Sequence, residues 1–306
     1  MSLTIIGTVA LDSVTTPKGV HDRILGGSAT YAATAASMFT DVGIVSIVGQ
    51  DFPEDHIHYL QSKGINLDGL VRSQGNTFHW EGYYEGDMSQ AHTKQTDLNV
   101  LLEFNPIIPP SQQQAQTVFC GNFDPELQLN AIMQFDNPEL VALDTMNYWI
   151  ETKPEALKKT LSFVDLLIIN DQEVRLLTGE SNIIDALPLI NAMGPRQIIV
   201  KKGEHGALMY SHNEFFLFPA YPLPDLVDPT GAGDSFAGGI LGYLDRTQTF
   251  TDDDYRKAII YGTLTSSFTV QGFSLDRLKD ATPELLEERY TDFHRYLTVP
   301  ETISLS

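Results

Sequence analysis

The chain has 306 residues, and 19 Lys+Arg against 40 Asp+Glu give a formal net charge of −21 at pH 7. A pI near 4.5 argues against a broad nucleic-acid footprint or docking on anionic lipid, both of which need positive surface potential. Hydrophobic residues at 42% and charged residues at 19% fit an ordered globular protein rather than a charge-rich disordered one.

In chain order, Leu3 to Ala10 reads as a buried first strand, and Gly26-Gly27 open a small-residue helix from Ser28 to Met38. Val42 to Val48 supplies another strand and Glu54 to Lys63 a helix. Short apolar strands alternating with longer helices are the sequence form of an α/β unit with a largely parallel sheet. The rhythm changes between about Leu70 and Phe104. Thr77, His79, Glu81 and Tyr83 alternate with Phe78, Trp80, Gly82 and Tyr84, and a polar segment, Gly86 to Asp97, returns toward the apolar Leu98 to Phe104. This pattern predicts antiparallel strands in a small sheet outside the main one. Asn105-Pro106 and Pro109-Pro110 then punctuate the return.

Strands are expected at Thr117 to Cys120, Leu140 to Leu143, Leu166 to Ile169 and Ile198 to Lys201. The intervening helices are Glu126 to Phe135, Lys153 to Phe163, Asp171 to Thr178 and Ile183 to Met193. Gly206 to Tyr210 and Phe215 to Phe218 form a hairpin, and helices follow at Ala232 to Leu244, Asp252 to Val270 and Pro283 to Leu297. One domain over residues 1–306 with a β-rich lid, mainly about 70–104 with a contribution from 12–25, is the expected organisation. The single cysteine, Cys120, sits in an apolar stretch and reads as a buried spectator. No apolar run approaches the roughly 18 residues of a membrane span, and the N-terminus carries no signal or transit pattern, so the cytoplasm is the expected location.

Four segments carry chemistry. Asp228-Pro229-Thr230-Gly231-Ala232-Gly233-Asp234-Ser235-Phe236 passes from a tight turn into an apolar helix. The N–H groups of Gly231 to Gly233 can therefore cradle an anion at a helix N-terminus. Asp234 serves there either as a helix-start residue or as the acceptor of a proton from an attacking hydroxyl. Asn170-Asp171-Gln172-Glu173 puts an amide and a carboxylate on one side of a first helical turn, a pattern that equally makes a capping box. Lys201-Lys202-Gly203-Glu204-His205-Gly206 is a glycine-bracketed turn that lets a nucleotide approach. Its two adjacent lysines, in so acidic a chain, suit either a phosphate or, for one of them, plain surface solvation, and they stay outside the catalytic set. Asp12, after the first strand, and Gly26-Gly27 suit an acceptor with vicinal hydroxyls.

The Asp228 to Phe236 segment resembles the C-terminal signature of the ribokinase-like, or PfkB-type, carbohydrate kinases, and the resemblance runs from Gly7 to about Leu275 through all four segments. It implies a three-layer α/β/α fold with a mostly parallel sheet and a β-rich lid. It implies ATP-dependent phosphorylation of an alcohol of a sugar or nucleoside. Gly231, Ala232 and Gly233 then form the anion hole and Asp234 is the catalytic base, also facing the acceptor. Asn170 and Glu173 hold triphosphate and Mg²⁺, with Glu173 reaching the metal directly or through water; Gly203, Gly206 and Thr230 border the nucleotide. Asp12, Gly26 and Gly27 bind the acceptor, and Asp228 with Thr230 holds a monovalent cation such as K⁺. Lids of ribokinase-like members pair across a dimer whereas adenosine-kinase-like members can be monomers, so the resemblance leaves a homodimer through the lid and a monomer both open, with neither nucleic acid nor membrane as expected partner.

Ribokinase itself carries Gly-Gly-Lys where this chain has Gly26-Gly27-Ser28; adenosine kinases are more similar there. Phe78, Trp80 and Tyr83 on the lid suit either stacking on a nucleobase or simply sealing the site, and Asp144 to Trp149 resembles a segment of bacterial sugar or adenosine kinases. The acceptor stays open between sugar and nucleoside, with a catalytically silent binding protein as the alternative of another class. A phosphate loop with Gly-Lys-Ser/Thr, a dinucleotide fingerprint, a His-Glu-x-x-His helix and a Gly-x-Ser-x-Gly elbow are all missing from the sequence, which argues against the enzymes that use them.

Overall fold

The computed structural model describes residues 2–297; Met1 and residues 298–306, the two ends of the expected domain, lie outside the described residues. The chain opens with β1 (Leu3–Ile6), then leaves for the lid as β2 (Ala10–Thr16) and β3 (Gly19–Gly26). It returns through α1 (Ser28–Ala36), β4 (Val42–Val48), α2 (Glu54–Ser62) and β5 (Asn66–Arg72). A second excursion builds β6 (His79–Tyr83) and β7 (His92–Asp97). The α/β alternation then runs β8 (Thr117–Cys120), α3 (Pro125–Ile132), β9 (Leu140–Leu143), α4 (Asn147–Thr152), α5 (Pro154–Leu161), β10 (Leu166–Asn170), α6 (Asp171–Thr178), α7 (Ile183–Asn191) and β11 (Gln197–Lys201). A hairpin, β12 (Ala207–Ser211) and β13 (Glu214–Phe218), precedes α8 (Ala232–Thr247), α9 (Asp252–Thr269) and α10 (Pro283–Leu297).

Nine strands make the main sheet in the order β13-β12-β11-β10-β9-β8-β1-β4-β5. The seven strands from β11 to β5 pair in parallel, and the hairpin adds an antiparallel edge. Helices cover both faces, so the strands are apolar on both sides. Leu3, Ile5 and Ile168 pack with Ala32, Ile240 and Ile259 from α1, α8 and α9. Ile6, Leu167 and Ile169 pack with Ala131, Leu157 and Leu187 from α3, α5 and α7. Each such aliphatic side chain gains about 1.5–3 kcal/mol from burial, and the two clusters together clamp the strand ends that carry the site. Every parallel strand points its C-terminus to the same edge, where open α/β sheets bind ligands.

The structure revises the expected strands in three places. The first strand stops at Ile6, because Thr8 and Ser28 exchange hydrogen bonds from each backbone N–H to the other's hydroxyl (3.2 and 3.0 Å) and turn the chain out of the sheet. Asp12 therefore lies inside lid strand β2, not at the end of the first sheet strand. Leu70 belongs to β5 at the edge of the main sheet, paired with Ser46 of β4, so the lid segment starts later than Leu70. Leu98 to Phe104 is no strand: Asn99, at φ 48, breaks the extended run, donates from Nδ2 to the Thr77 carbonyl at 2.9 Å and opens a 3₁₀ turn. The lid has the order β3-β2-β6-β7, with half of its strands from residues 10–26. Its central β2–β6 pairing is parallel rather than antiparallel. Cys120 is fully buried, with its thiol 3.9 Å from the Gln128 carbonyl, and burial pushes its pKa far up. No helix among the described residues is long and apolar enough to cross a membrane.

Candidate active site

Two features define the turn before α8. Asp228 Oδ1 accepts from the Thr230 N–H at 2.9 Å, closing an Asx turn, and Gly231 follows in the left-handed region at φ 76. A Cβ on Gly231 would sit 2.4 Å from the Tyr31 ring, so both conformation and space require glycine there. With Gly231 as N-cap, α8 starts without any side-chain cap. Of its first N–H groups, that of Ala232 bonds the Pro229 carbonyl at 3.1 Å; the others have no side-chain cap, and the positive end of the helix favours an anion. Asp234 stands in this first turn, half-buried. Burial and then Asp144 push its pKa up to about 7, against the pull of Lys201.

From the other side comes Asp12, only 5% exposed. Its carboxylate accepts from the Gly27 N–H, but burial, Asp228 and Asp234 together raise its pKa to about 7. A Cβ on Gly26 would lie 1.9 Å from Asp12 Oδ2, so this glycine makes the room that the carboxylate occupies. Gly27, at φ 93, serves as N-cap of α1. Asp12, Asp228, Asp234, Tyr31 and Tyr84 all interact electrostatically, which unites the N-terminal and C-terminal segments at one place.

Asn170 and Glu173 sit at the junction of β10 and α6. Asn170 Oδ1 accepts from the Glu173 N–H at 2.8 Å, and Glu173 Oε2 accepts from the Asn170 N–H at 2.9 Å. This is the capping-box arrangement that the spacing allows, and it holds Glu173 at 6% exposure. Burial pushes the Glu173 pKa up to about 7, with Lys201 opposing and Asp144 adding. No group of three His, Cys, Asp or Glu side chains among the described residues forms a metal cage. That donor set fits Mg²⁺ held chiefly by phosphate oxygens and waters, with one carboxylate nearby.

Gly203, at φ 54 with open space around it, begins a short turn after β11. Gly206, at φ 86, packs against the backbone of β13, where a Cβ would lie 1.9 Å from the Phe218 carbonyl oxygen. Gly206 is thus needed by the hairpin itself, whatever its role toward a ligand. Asp228 is 1% exposed, and its Oδ2 is buried without a hydrogen bond of normal geometry. Thr230 donates from Oγ1 to the Tyr84 hydroxyl at 3.1 Å.

Three residues escaped the sequence reading. Tyr84, just beyond β6, ties the lid to the anion-hole turn through Thr230. Lys201, kept outside the catalytic set with its role open between phosphate and solvent, is mostly buried and forms a 2.9 Å ion pair with Asp144, whose segment has no assigned task. Only the strand order, which puts β9 and β11 on either side of β10, brings these two strand ends together. The lid aromatic Trp80 is in register with Asp12 across the parallel β2–β6 pair, so both side chains start from one face of the lid sheet. Its ring lies over Gly82, where a Cβ would be 2.1 Å away, and its Nε1 donates to Thr93 Oγ1 at 3.1 Å.

Comparison with known proteins agrees with this geometry. The profile of the pfkB family carbohydrate kinases matches residues 3–280. A cytidine kinase of Thermococcus kodakarensis is 30% identical over 250 residues, covering 79% of this chain and 88% of that protein. A nucleoside kinase of Methanocaldococcus jannaschii is 24% identical over 249 residues, covering 80% and 78%. Among solved structures, a Burkholderia thailandensis nucleoside kinase in complex with inosine superimposes with TM-score 0.80 at 17% identity, covering 96% of this chain and 99% of that one. A putative ribokinase II from E. coli, in complex with ATP and Mg²⁺, gives TM-score 0.78 at 19% identity over 96% and 99%. With a mostly parallel sheet, a four-stranded lid and the glycine-rich turn before α8 in place, the chain belongs to the pfkB family of carbohydrate kinases, ATP-dependent enzymes that phosphorylate sugars and nucleosides.

Proposed function

We propose that this kinase phosphorylates a hydroxyl of a nucleoside, with ATP as donor. The observation that carries the choice is the register of Trp80 with Asp12: a large aromatic side chain and the carboxylate suited to ribose hydroxyls start from one face of the lid sheet, with the Trp80 ring leaning over Gly82 toward Thr93. A flat base gains stacking there that a free sugar lacks. The cytidine kinase of Thermococcus kodakarensis, at 30% identity, supports the same choice.

In this reading Asp12 accepts hydrogen bonds from vicinal hydroxyls, and Gly26 and Gly27 let the ribose come close to the backbone. Asp234 takes the proton from the attacking hydroxyl as its oxygen bonds to the γ-phosphorus and the bond to the ADP oxygen breaks. The N–H groups of Gly231, Ala232 and Gly233 stabilise the charge on the transferring group. Asn170 meets the triphosphate, and Gly203, Gly206 and Thr230 border the nucleotide. Glu173 would hold Mg²⁺, directly or through water, and the bound ion would supply charge neutralisation at the phosphates. Asp228 Oδ2, buried without a hydrogen bond of normal geometry though near the Ser274 backbone, fits a monovalent cation such as K⁺, with Thr230 as its neighbour.

The test is a coupled ADP-release assay on the full chain with cytidine, inosine, adenosine, ribose and fructose. A nucleoside should exceed both free sugars in kcat/KM by at least about tenfold, the scale of one stacking contact. Trp80→Ala should remove most of that margin while sparing the sugars. Equal or better turnover of a free sugar would reject the nucleoside. Repeating the assay with K⁺ replaced by tetramethylammonium should lower the rate, and an unchanged rate would remove the cation from this account.

A further inference from the structure

Lys201 ends β11 and Asp144 follows β9, so the parallel sheet delivers both to the edge where α8 begins. Lys201 Nζ donates to Asp144 Oδ2 at 2.9 Å, with side chains 19% and 8% exposed. Asp144 is itself fixed: its Oδ1 accepts from the Thr145 N–H at 2.8 Å, and its carbonyl accepts from Gln128 Nε2 at 3.0 Å. An ammonium has three N–H bonds to place. Among the described residues Asp144 is the one protein acceptor that Lys201 Nζ meets, which leaves two of the three without a protein partner.

Where the ammonium stands matters as much as what it holds. A Cβ on Gly233 would be 3.5 Å from Lys201 Nζ, so the charge lies against the first turn of α8, beside the N–H groups of the anion hole. Lys201 also interacts with Glu173 and Asp234, making it the cation among three carboxylates. Burial works against its charged form, but Asp144 and Glu173 outweigh it and the pKa rises. The amine is therefore a fixed positive charge throughout the neutral range. A polyanion seated on the α8 N-terminus meets this charge directly, and it offers more acceptor oxygens than one carboxylate can.

We propose that Lys201 is a donor-phosphate ligand held in place by Asp144, its ammonium turning its free N–H bonds, and part of its bond to Asp144, to the triphosphate when ATP binds. This rests on the kinase reading above. It gives a task to a lysine and to a segment, Asp144 to Trp149, that the remaining assignments leave idle. Asp144 keeps the buried ammonium from standing unpaired until a polyanion competes for it. A static structural ion pair would require both partners equally; a phosphate ligand with a competing carboxylate requires them with opposite sign.

Calorimetric titration of the full chain with ATP–Mg²⁺ and with the acceptor nucleoside, beside steady-state rates, separates these. Lys201→Met should weaken ATP–Mg²⁺ binding by about 10- to 100-fold, the scale of a charge-assisted hydrogen bond, and leave acceptor affinity within about twofold. Asp144→Asn should bind ATP–Mg²⁺ at least as tightly as the wild type, because it removes a competitor and a negative charge. Lys202→Met, lacking the Asp144 contact, should match the wild type. Wild-type ATP–Mg²⁺ affinity in Lys201→Met, or weakening by Asp144→Asn comparable to that by Lys201→Met, overturns the proposal while leaving the kinase reading intact. If Lys201→Met does not fold, as judged by its melting curve, the sign of the Asp144→Asn effect decides alone. Failure of the wild type to bind ATP–Mg²⁺ overturns both.

Discussion

Asp12, Glu173 and Asp234 are three carboxylates with pKa values raised to about 7, and in each case burial is the first cause. Burial at this level costs folding free energy once the groups ionise. Asp12 illustrates the sign. Its native pKa, about 7, lies above the unfolded value near 3.9. Its favourable contribution is therefore complete below about pH 4 and is lost as pH rises through about 7. Asp12→Asn should accordingly stabilise the ligand-free protein by about 2–4 kcal/mol at pH 8 and much less at pH 5, while weakening the acceptor. Urea unfolding at the two pH values measures this, and a variant less stable than the wild type at pH 8 would contradict it. Such a gain in stability at the expense of function is the usual mark of a binding residue. The candidate site residues stand out in the sequence because their types sit in short motifs. Their electrostatic states do not, since Asp12 and Asp228 are 216 residues apart in sequence and influence each other only after folding.

At the scale of elements, the turn into α8 does the most with the fewest atoms. Gly231→Ala would force a positive φ on a residue with a side chain and drive its Cβ into the Tyr31 ring. We expect a loss of about 1–3 kcal/mol in stability and at least about tenfold in kcat as the N–H groups lose their alignment. Wild-type turnover in Gly231→Ala would remove that turn from the mechanism. The Gly-Ala-Gly-Asp run announced this element, and β8, β9, α6 and α10 were readable to the residue from apolar runs and caps. The lid was readable only as a change of rhythm. Its two hairpins come from distant segments, and no local pattern announces that β2 and β6 will pair in parallel. β5 was missed because an edge strand with few buried residues, NLDGLVR, lacks the apolar run of a central strand. The short helix α4 was missed for a similar reason: one buried residue, Ile150, gives no periodicity.

Across the whole molecule, the sheet edge gathers Asp144, Asn170 and Lys201 from three strand ends. The lid brings Asp12 and Tyr84 to Asp228 and Asp234 at the start of α8. A bond from Thr230 to Tyr84 links the lid to the turn before α8, and in the proposed reading the acceptor and donor sides meet at Asp234. The net charge of −21 makes a polyanionic donor costly to approach, which puts the burden of attraction on the α8 N-terminus and the few local cations. The central claim is that Asp234 accepts the proton during phosphoryl transfer at this meeting point. Steady-state turnover of Asp234→Asn, with the dissociation constants of ATP–Mg²⁺ and of the acceptor nucleoside measured on the same preparation, tests it most directly. The account predicts both dissociation constants within about threefold of the wild type and kcat lower by about 10²-fold or more; near-normal kcat in Asp234→Asn would contradict it.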